Sequence, residues 1–188
     1  MKRISITAAL VIGLGLALSA QGGWTTLFDG KNLDSFNKVG DANWTIVDGV
    51  VQADKGGGHL VTRQPYGDFE IKAEIWVDTP ANSGIFIRCE NAQMPGAEAC
   101  YEVNVFDTRP DPSYGTGAIV NVAKVTTPVK AGGKWNTLEI RARGSHLEVT
   151  LNGVKTADVM DTKHARGPFT LQYGAGVVKF RSVQVRPL

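Results

Sequence analysis

Only two cysteines and three histidines occur in the 188 residues. Cys89 and Cys100 lack the CxxC spacing, and His59, His146 and His164 lie far apart. Zinc and iron–sulfur frameworks need clustered Cys and His, so no metal is expected. Charge of one sign is also lacking, with 20 basic residues against 18 acidic. A surface that neutralises phosphates would need a basic excess, so no nucleic-acid partner is expected. The Gly56-Gly57-Gly58 run leads into "HLVT" and not into a helix, so it is not a phosphate cradle. No cofactor is expected. Long apolar runs are confined to the amino terminus, and amphipathic helical periodicity is missing thereafter.

The amino-terminal run has the layout of a cleavable signal. Lys2 and Arg3 precede an apolar stretch from Ile4 to Leu18, and Leu18-Ser19-Ala20 supplies small residues for cleavage. Residues 1–20 are therefore expected to be a signal peptide and 21–188 one folded domain, periplasmic or secreted. Once the signal is cleaved, no membrane association is expected. Removing Lys2 and Arg3 from the 20 basic residues leaves 18 of each sign, a formally neutral domain. Cys89 ends one apolar run and Cys100 begins the next, with Pro95-Gly96 between them. If those runs pair as antiparallel neighbours, the two thiols meet at the mouth of the loop. An exported chain would then oxidise them to a disulfide.

Short runs of β-branched and aromatic residues, punctuated by Gly, Asn and Asp, predict eleven or twelve strands and an all-β sandwich. "WTIVDGVVQAD" reads as a hairpin about Asp48-Gly49, and "LNGV" turns at Asn152-Gly153. "DFEIKAEIWVD" alternates cleanly, with Phe69, Ile71, Ala73, Ile75 and Val77 opposite Glu70, Lys72, Glu74 and Trp76. "GIFIRC", "CYEVNVF" and "GAIVNV" are predicted strands, as are "HLVT", "WNTLEIRAR", "HLEVTLNG", "GPFTLQY" and "VVKFRSVQVR". No linker, repeat or low-complexity tract divides the chain.

The ordered set "LFDGKNLDSF", "YGDFEIKAE", "NSGIFIR", "YEVNVFD", "TGAI", "GKWN", "LNG" and "GPFTLQYG…VKFRSVQVRPL" resembles the 3-keto-disaccharide hydrolase domain family, from Trp24 to Leu188. The resemblance implies a concanavalin A-like jelly roll of two antiparallel sheets in a single domain, and a site on the outer face of its concave sheet. Two positions depart from the family pattern: Trp76 stands where arginine is frequent, and Tyr173 follows the Leu-Gln pair where His or Asp is common.

Alternation puts Phe86 and Arg88 on one face of their strand, Glu102, Asn104 and Phe106 on one face of the next, and Glu74 with Trp76 on an earlier one. Aromatic rings beside carboxylates and arginine suit a sugar, whose C–H face is apolar and whose rim is hydroxylated. The chemistry implied by the resemblance is acid/base cleavage of a sugar oxidised at C3. In that setting Glu102 and Glu74 are the acid/base candidates, Asp107 a third, and Arg88 the donor to the keto or enolate oxygen. Asn104, Trp76, Phe86, Gln172 and Tyr173 are the expected substrate contacts. Glu102-x-Asn104-x-x-Asp107 also resembles the E-x-D-x-x-E motif of jelly-roll β-glucanases, but two of its three positions differ. The expected function is an exported carbohydrate-active protein, a hydrolase or lyase of 3-keto-glycosides such as 3-keto-disaccharides. The alternatives are a non-catalytic, lectin-like carbohydrate-binding module and a structural sandwich of the envelope. The expected partner is a carbohydrate, and no sequence feature sets an oligomeric state.

Overall fold

Alternation is what builds the sheets. The computed structural model describes residues 23–188 and contains thirteen strands and no helix among them. The expected signal segment lies outside the described residues. The strands are β1 (Thr25–Phe28), β2 (Phe36–Gly40), β3 (Thr45–Val47), β4 (Val50–Ala53), β5 (Gly58–Thr62), β6 (Phe69–Val77) and β7 (Asn82–Ile87). They continue with β8 (Tyr101–Val105), β9 (Trp135–Arg143), β10 (His146–Leu151), β11 (Val154–Met160), β12 (Thr170–Ala175) and β13 (Val178–Pro187).

Two antiparallel sheets pack face to face. One has eight strands in the order β11-β10-β9-β6-β13-β4-β3, with β1 joining β13 beside β4; the other has five, β2-β5-β12-β7-β8. The predicted alternation of β6 is realised: Phe69, Ile71, Ala73, Ile75 and Val77 are buried. They meet Leu60, Ile85, Ile87, Tyr101, Val103, Val105 and Leu171 from the five-stranded sheet in one continuous core. Burying each large apolar side chain contributes roughly 1.5–3 kcal/mol, which fixes register, since a one-residue slip would turn every such group outward.

The turns follow their residues. Asp48 and Gly49 both have positive φ (50° and 76°), as do Asn152 and Gly153 (52° and 79°). Two left-handed residues match the twist of a two-residue hairpin, which is why Asp-Gly and Asn-Gly sit there.

Two departures bear on the site. β2 was not among the predicted strands. "GAIVNV", expected as a strand, is instead an irregular segment held against β8: Asn104 N–H donates to the Ala118 carbonyl, Gly117 N–H to Asn104 and Val120 N–H to Glu102. Asn121, with φ of 63°, turns the chain back before a ladder can extend.

Cys89 and Cys100 form the expected disulfide. With Phe86 and Ala99 they make a small second cluster on the outer side of the five-stranded sheet. Reduction, or Cys89→Ser with Cys100→Ser, should lower stability by about 3 kcal/mol from loop entropy. Thermal melts with and without reductant test this; an unchanged midpoint would contradict it.

Candidate functional site

Register dictates what lines the outer face of the five-stranded sheet. Across β2, β5, β12, β7 and β8, cross-strand partners align Val39, His59, Gln172, Gly84 and Asn104 in one row. The next row is Asn37, Val61, Thr170, Phe86 and Glu102. Gly84 leaves a gap between Gln172 and Asn104. A Cβ there would stand 2.7 Å from the Val103 carbonyl oxygen, so close approach of β8 requires glycine.

Both residues flanking that gap carry an oxygen with no donor among the described residues. Asn104 is only 3% exposed. Its Nδ2 donates to the Tyr114 carbonyl at 2.5 Å, which orients the amide and leaves Oδ1 without a donor. Gln172 Oε1 is likewise buried and unpaired. Each such acceptor costs roughly 1–3 kcal/mol unless a donor arrives, and sugar hydroxyls are donors.

The Glu102 carboxyl, beside Phe86 in the adjacent row, has no hydrogen-bond or ion-pair partner among the described residues. Burial pushes its carboxyl up to about 7. A carboxyl shared between its two forms near neutrality can take or give a proton there. His59 packs edge-on against Phe86 with ring centroids 5.0 Å apart, and its Nδ1 lies 2.9 Å from Thr170 Oγ1. Burial pulls the imidazole down to about 4, so it is neutral at pH 7. Beyond Asn104 the Arg109 guanidinium stacks on both Phe106 (4.8 Å) and Tyr114 (5.9 Å). A hollow of about 260 Å³ opens on the β2 side of this face, between Val39, Val61 and the loop residues Ala92 and Gln93. It lies away from Glu102, so chemistry and not concavity marks the site.

The structure brings together Glu102, Asn104, Gln172 and Phe86 of the expected residues and separates the others. Glu74 and Trp76 project from the eight-stranded sheet, on the opposite outer side of the sandwich. There Glu74 is ion-paired with Arg181 (2.6 Å) and Trp76 lies under Lys179 (4.8 Å). Strand alternation was read correctly for them; sheet membership was not. Arg88 follows β7 with φ of 53°, which ends the strand and swings its side chain off the site face. Its guanidinium donates to the carbonyls of Gly67 (2.9 Å), Gly144 (2.7 Å) and His164 (3.2 Å) and to Asp68 Oδ1 (3.1 Å). It is 1% exposed and joins the loops at one end of the sandwich.

Asp107 is also structural. Its carboxylate accepts from Thr116 Oγ1 (2.6 Å) and from the N–H groups of Ala131 (2.9 Å) and Gly132 (2.8 Å). Tyr173 points inward, edge-on to Trp44, and donates to the Gly176 carbonyl. Phe86 does face outward, but the disulfide cluster and His59 cover it, so its ring is a wall and not a stacking platform. His59, Gly84, Arg109 and Tyr114 escaped the sequence reading. The alternation of "HLVT" already set His59 opposite Leu60, but the pairing of β5 with β12 was not legible.

With this face described, its likenesses can be placed. Residues 23–186 match the model of the 3-keto-alpha-glucoside-1,2-lyase-like domain. The chain belongs to that family. A 3-keto-disaccharide hydrolase of Bacteroides thetaiotaomicron is 33% identical over an alignment of 95 residues, covering 44% of this chain and 32% of that protein. The match thus spans about a third of the curated relative's length. A crystal structure of a glycosyl-hydrolase candidate from Parabacteroides distasonis superposes with a TM-score of 0.76 at 25% identity, covering 88% of this chain and all of that one. Carbohydrate-binding module CBM66 of Bacillus subtilis shares the fold, with a TM-score of 0.61 at 18% identity, over 89% of this chain and 97% of that one. The fold is the expected jelly roll.

Proposed function

We propose that this protein cleaves 3-keto-glycosides on the outer face of the five-stranded sheet, with Glu102 as the base. The observation that carries the reading is an unpaired, half-buried carboxyl poised near neutrality beside two amide oxygens in need of donors. A ketone at C3 acidifies the C2–H. Glu102 removes that proton, and the C–H electron pair becomes a C2=C3 bond as charge moves to O3. The C3 carbonyl then re-forms, C1=C2 forms, and the C1–oxygen bond breaks to release the aglycone, which takes up a proton. Water added across C1=C2 completes a net hydrolysis, with the C2 proton restored. Asn104 Oδ1 and Gln172 Oε1 accept hydroxyls of the sugar, and the Phe106–Arg109–Tyr114 rim faces the leaving portion.

Export belongs to the same reading: the disulfide suits an oxidising compartment, and the purified periplasmic or secreted protein should begin at Gln21 by mass. The deciding experiment incubates the mature protein with a 3-keto-glucoside beside its unoxidised parent. Aglycone release from the keto sugar alone supports the proposal. Saturable binding without release would instead make the domain a carbohydrate-binding module.

A further inference from the structure

If the site acts on a ketone, as proposed above, the charge that gathers on O3 needs a hydrogen-bond donor. Arg88, the expected donor, is committed to four loop acceptors elsewhere. On the site face, a side chain beside Phe86 on the side away from Glu102 is placed to supply it. His59 occupies that place: it sits on β5, beyond β12, and its ring reaches across to Phe86. Glu102 stands on β8, on the other flank of the same ring. Base and donor therefore bracket Phe86, as a base at C2 and a donor at O3 bracket one edge of a pyranose.

Local bonding selects the tautomer that can donate. Thr170 is completely buried, and His59 Nδ1 is the only partner of its hydroxyl among the described residues. Were Nδ1 protonated, it would donate to Oγ1 and the threonine hydrogen would be left buried without an acceptor. With the hydroxyl donating to Nδ1, the proton lies on Nε2, which has no partner among the described residues. Among the described residues no charged group faces the ring: its neighbours are Val39 on β2, Thr170 and Gln172 on β12, and Gly84 and Phe86 on β7.

We infer that His59 is the electrophilic residue of this site, donating Nε2–H to the C3 carbonyl oxygen of the bound keto sugar, with Thr170 as its positioning residue. The imidazole polarises the carbonyl and stabilises the enolate oxygen by hydrogen bonding, and it keeps its proton throughout. A neutral imidazole is matched to that task because its N–H is a donor that does not ionise the ketone outright.

The test measures kcat and KM for the keto sugar in wild type, His59→Ala, His59→Gln and Thr170→Val, with melting midpoints recorded alongside. Losing one oxyanion donor should lower kcat in His59→Ala by about 100-fold or more while KM moves little. His59→Gln, whose side-chain amide restores a donor near the Nε2 position, should recover a measurable part of that loss. Thr170→Val should lower kcat by a smaller factor, because the tautomer loses its anchor. The wild-type pH profile should show no limb from an imidazolium acid between pH 5 and 8. His59→Ala within threefold of wild type in kcat, at an unchanged melting midpoint, overturns the inference, as does a falling limb that vanishes in His59→Gln. If wild type releases nothing from the keto sugar, it is the broader functional proposal that fails.

Discussion

Glu102→Gln is expected to lower kcat on a 3-keto-glucoside by about a thousandfold, leaving KM within a few-fold. The amide is nearly isosteric and keeps the contact with Phe86, but it cannot accept the C2 proton. In wild type the rate should rise as pH passes through about 7, where the carboxyl loses its proton, and level off above. A flat profile from pH 5 to 8, or a variant with a tenth of wild-type activity, would contradict this role. The same carboxyl also links activity to stability. Its folded-state pKa lies above the 4.5 of an unperturbed glutamate because burial disfavours the charged form. The stability that accompanies its protonated form is therefore complete below about pH 4.5 and is lost as pH rises through 7. Glu102→Gln, which never ionises, should melt higher than wild type at pH 8 and no higher at pH 4. Catalysis would then be held at a cost in stability, as is common at functional sites.

Arg88→Ala is expected to weaken the fold itself. It strips one donor group from three loop carbonyls and from Asp68, all gathered at one end of the sandwich. Stranding buried acceptors costs roughly 1–3 kcal/mol apiece, less where water can enter, so a loss of about 3 kcal/mol or more follows. For a domain of this size that lowers the melting midpoint by about 6–12 °C. Arg88→Lys should recover little, since one ammonium cannot reach four acceptors held in the fork of a guanidinium. If the folded fraction of Arg88→Ala turns over keto sugar at the wild-type rate, the residue is structural, as its contacts indicate. If the midpoint is unchanged and only the rate falls, the structural role is wrong.

The contrast between these two residues shows what could be read in advance. Glu102 and Arg88 both stood opposite core residues on alternating strands, and alternation alone gave them the same face. For Glu102 the strand continues and the inference holds. For Arg88 a single left-handed residue intervenes, and nothing in "GIFIRC" marks it, since arginine has no preference for that conformation. Glu74 fails for a different reason. Its face was legible, but a nine-residue strand does not declare which of two sheets it will join. That choice is made by pairing with β9 and β13, the nearer of which begins 58 positions beyond the end of β6.

Composition, alternation and turn residues by themselves determined an all-β sandwich with hairpins at Asp48-Gly49 and Asn152-Gly153. They also determined that Ile85, Ile87, Val103 and Val105 face the core and that Cys89 meets Cys100. These are local properties, set within a strand or between neighbouring strands. Tertiary structure alone decided the rows that place His59 beside Gln172, Gly84 beside Asn104 and Phe86 beside Glu102. It also decided that Asp107 and Tyr173 turn away from that face. Cross-strand order depends on how two complete sheets share one core, and the burial that moves Glu102 and His59 from their ordinary protonation exists only once those sheets have closed.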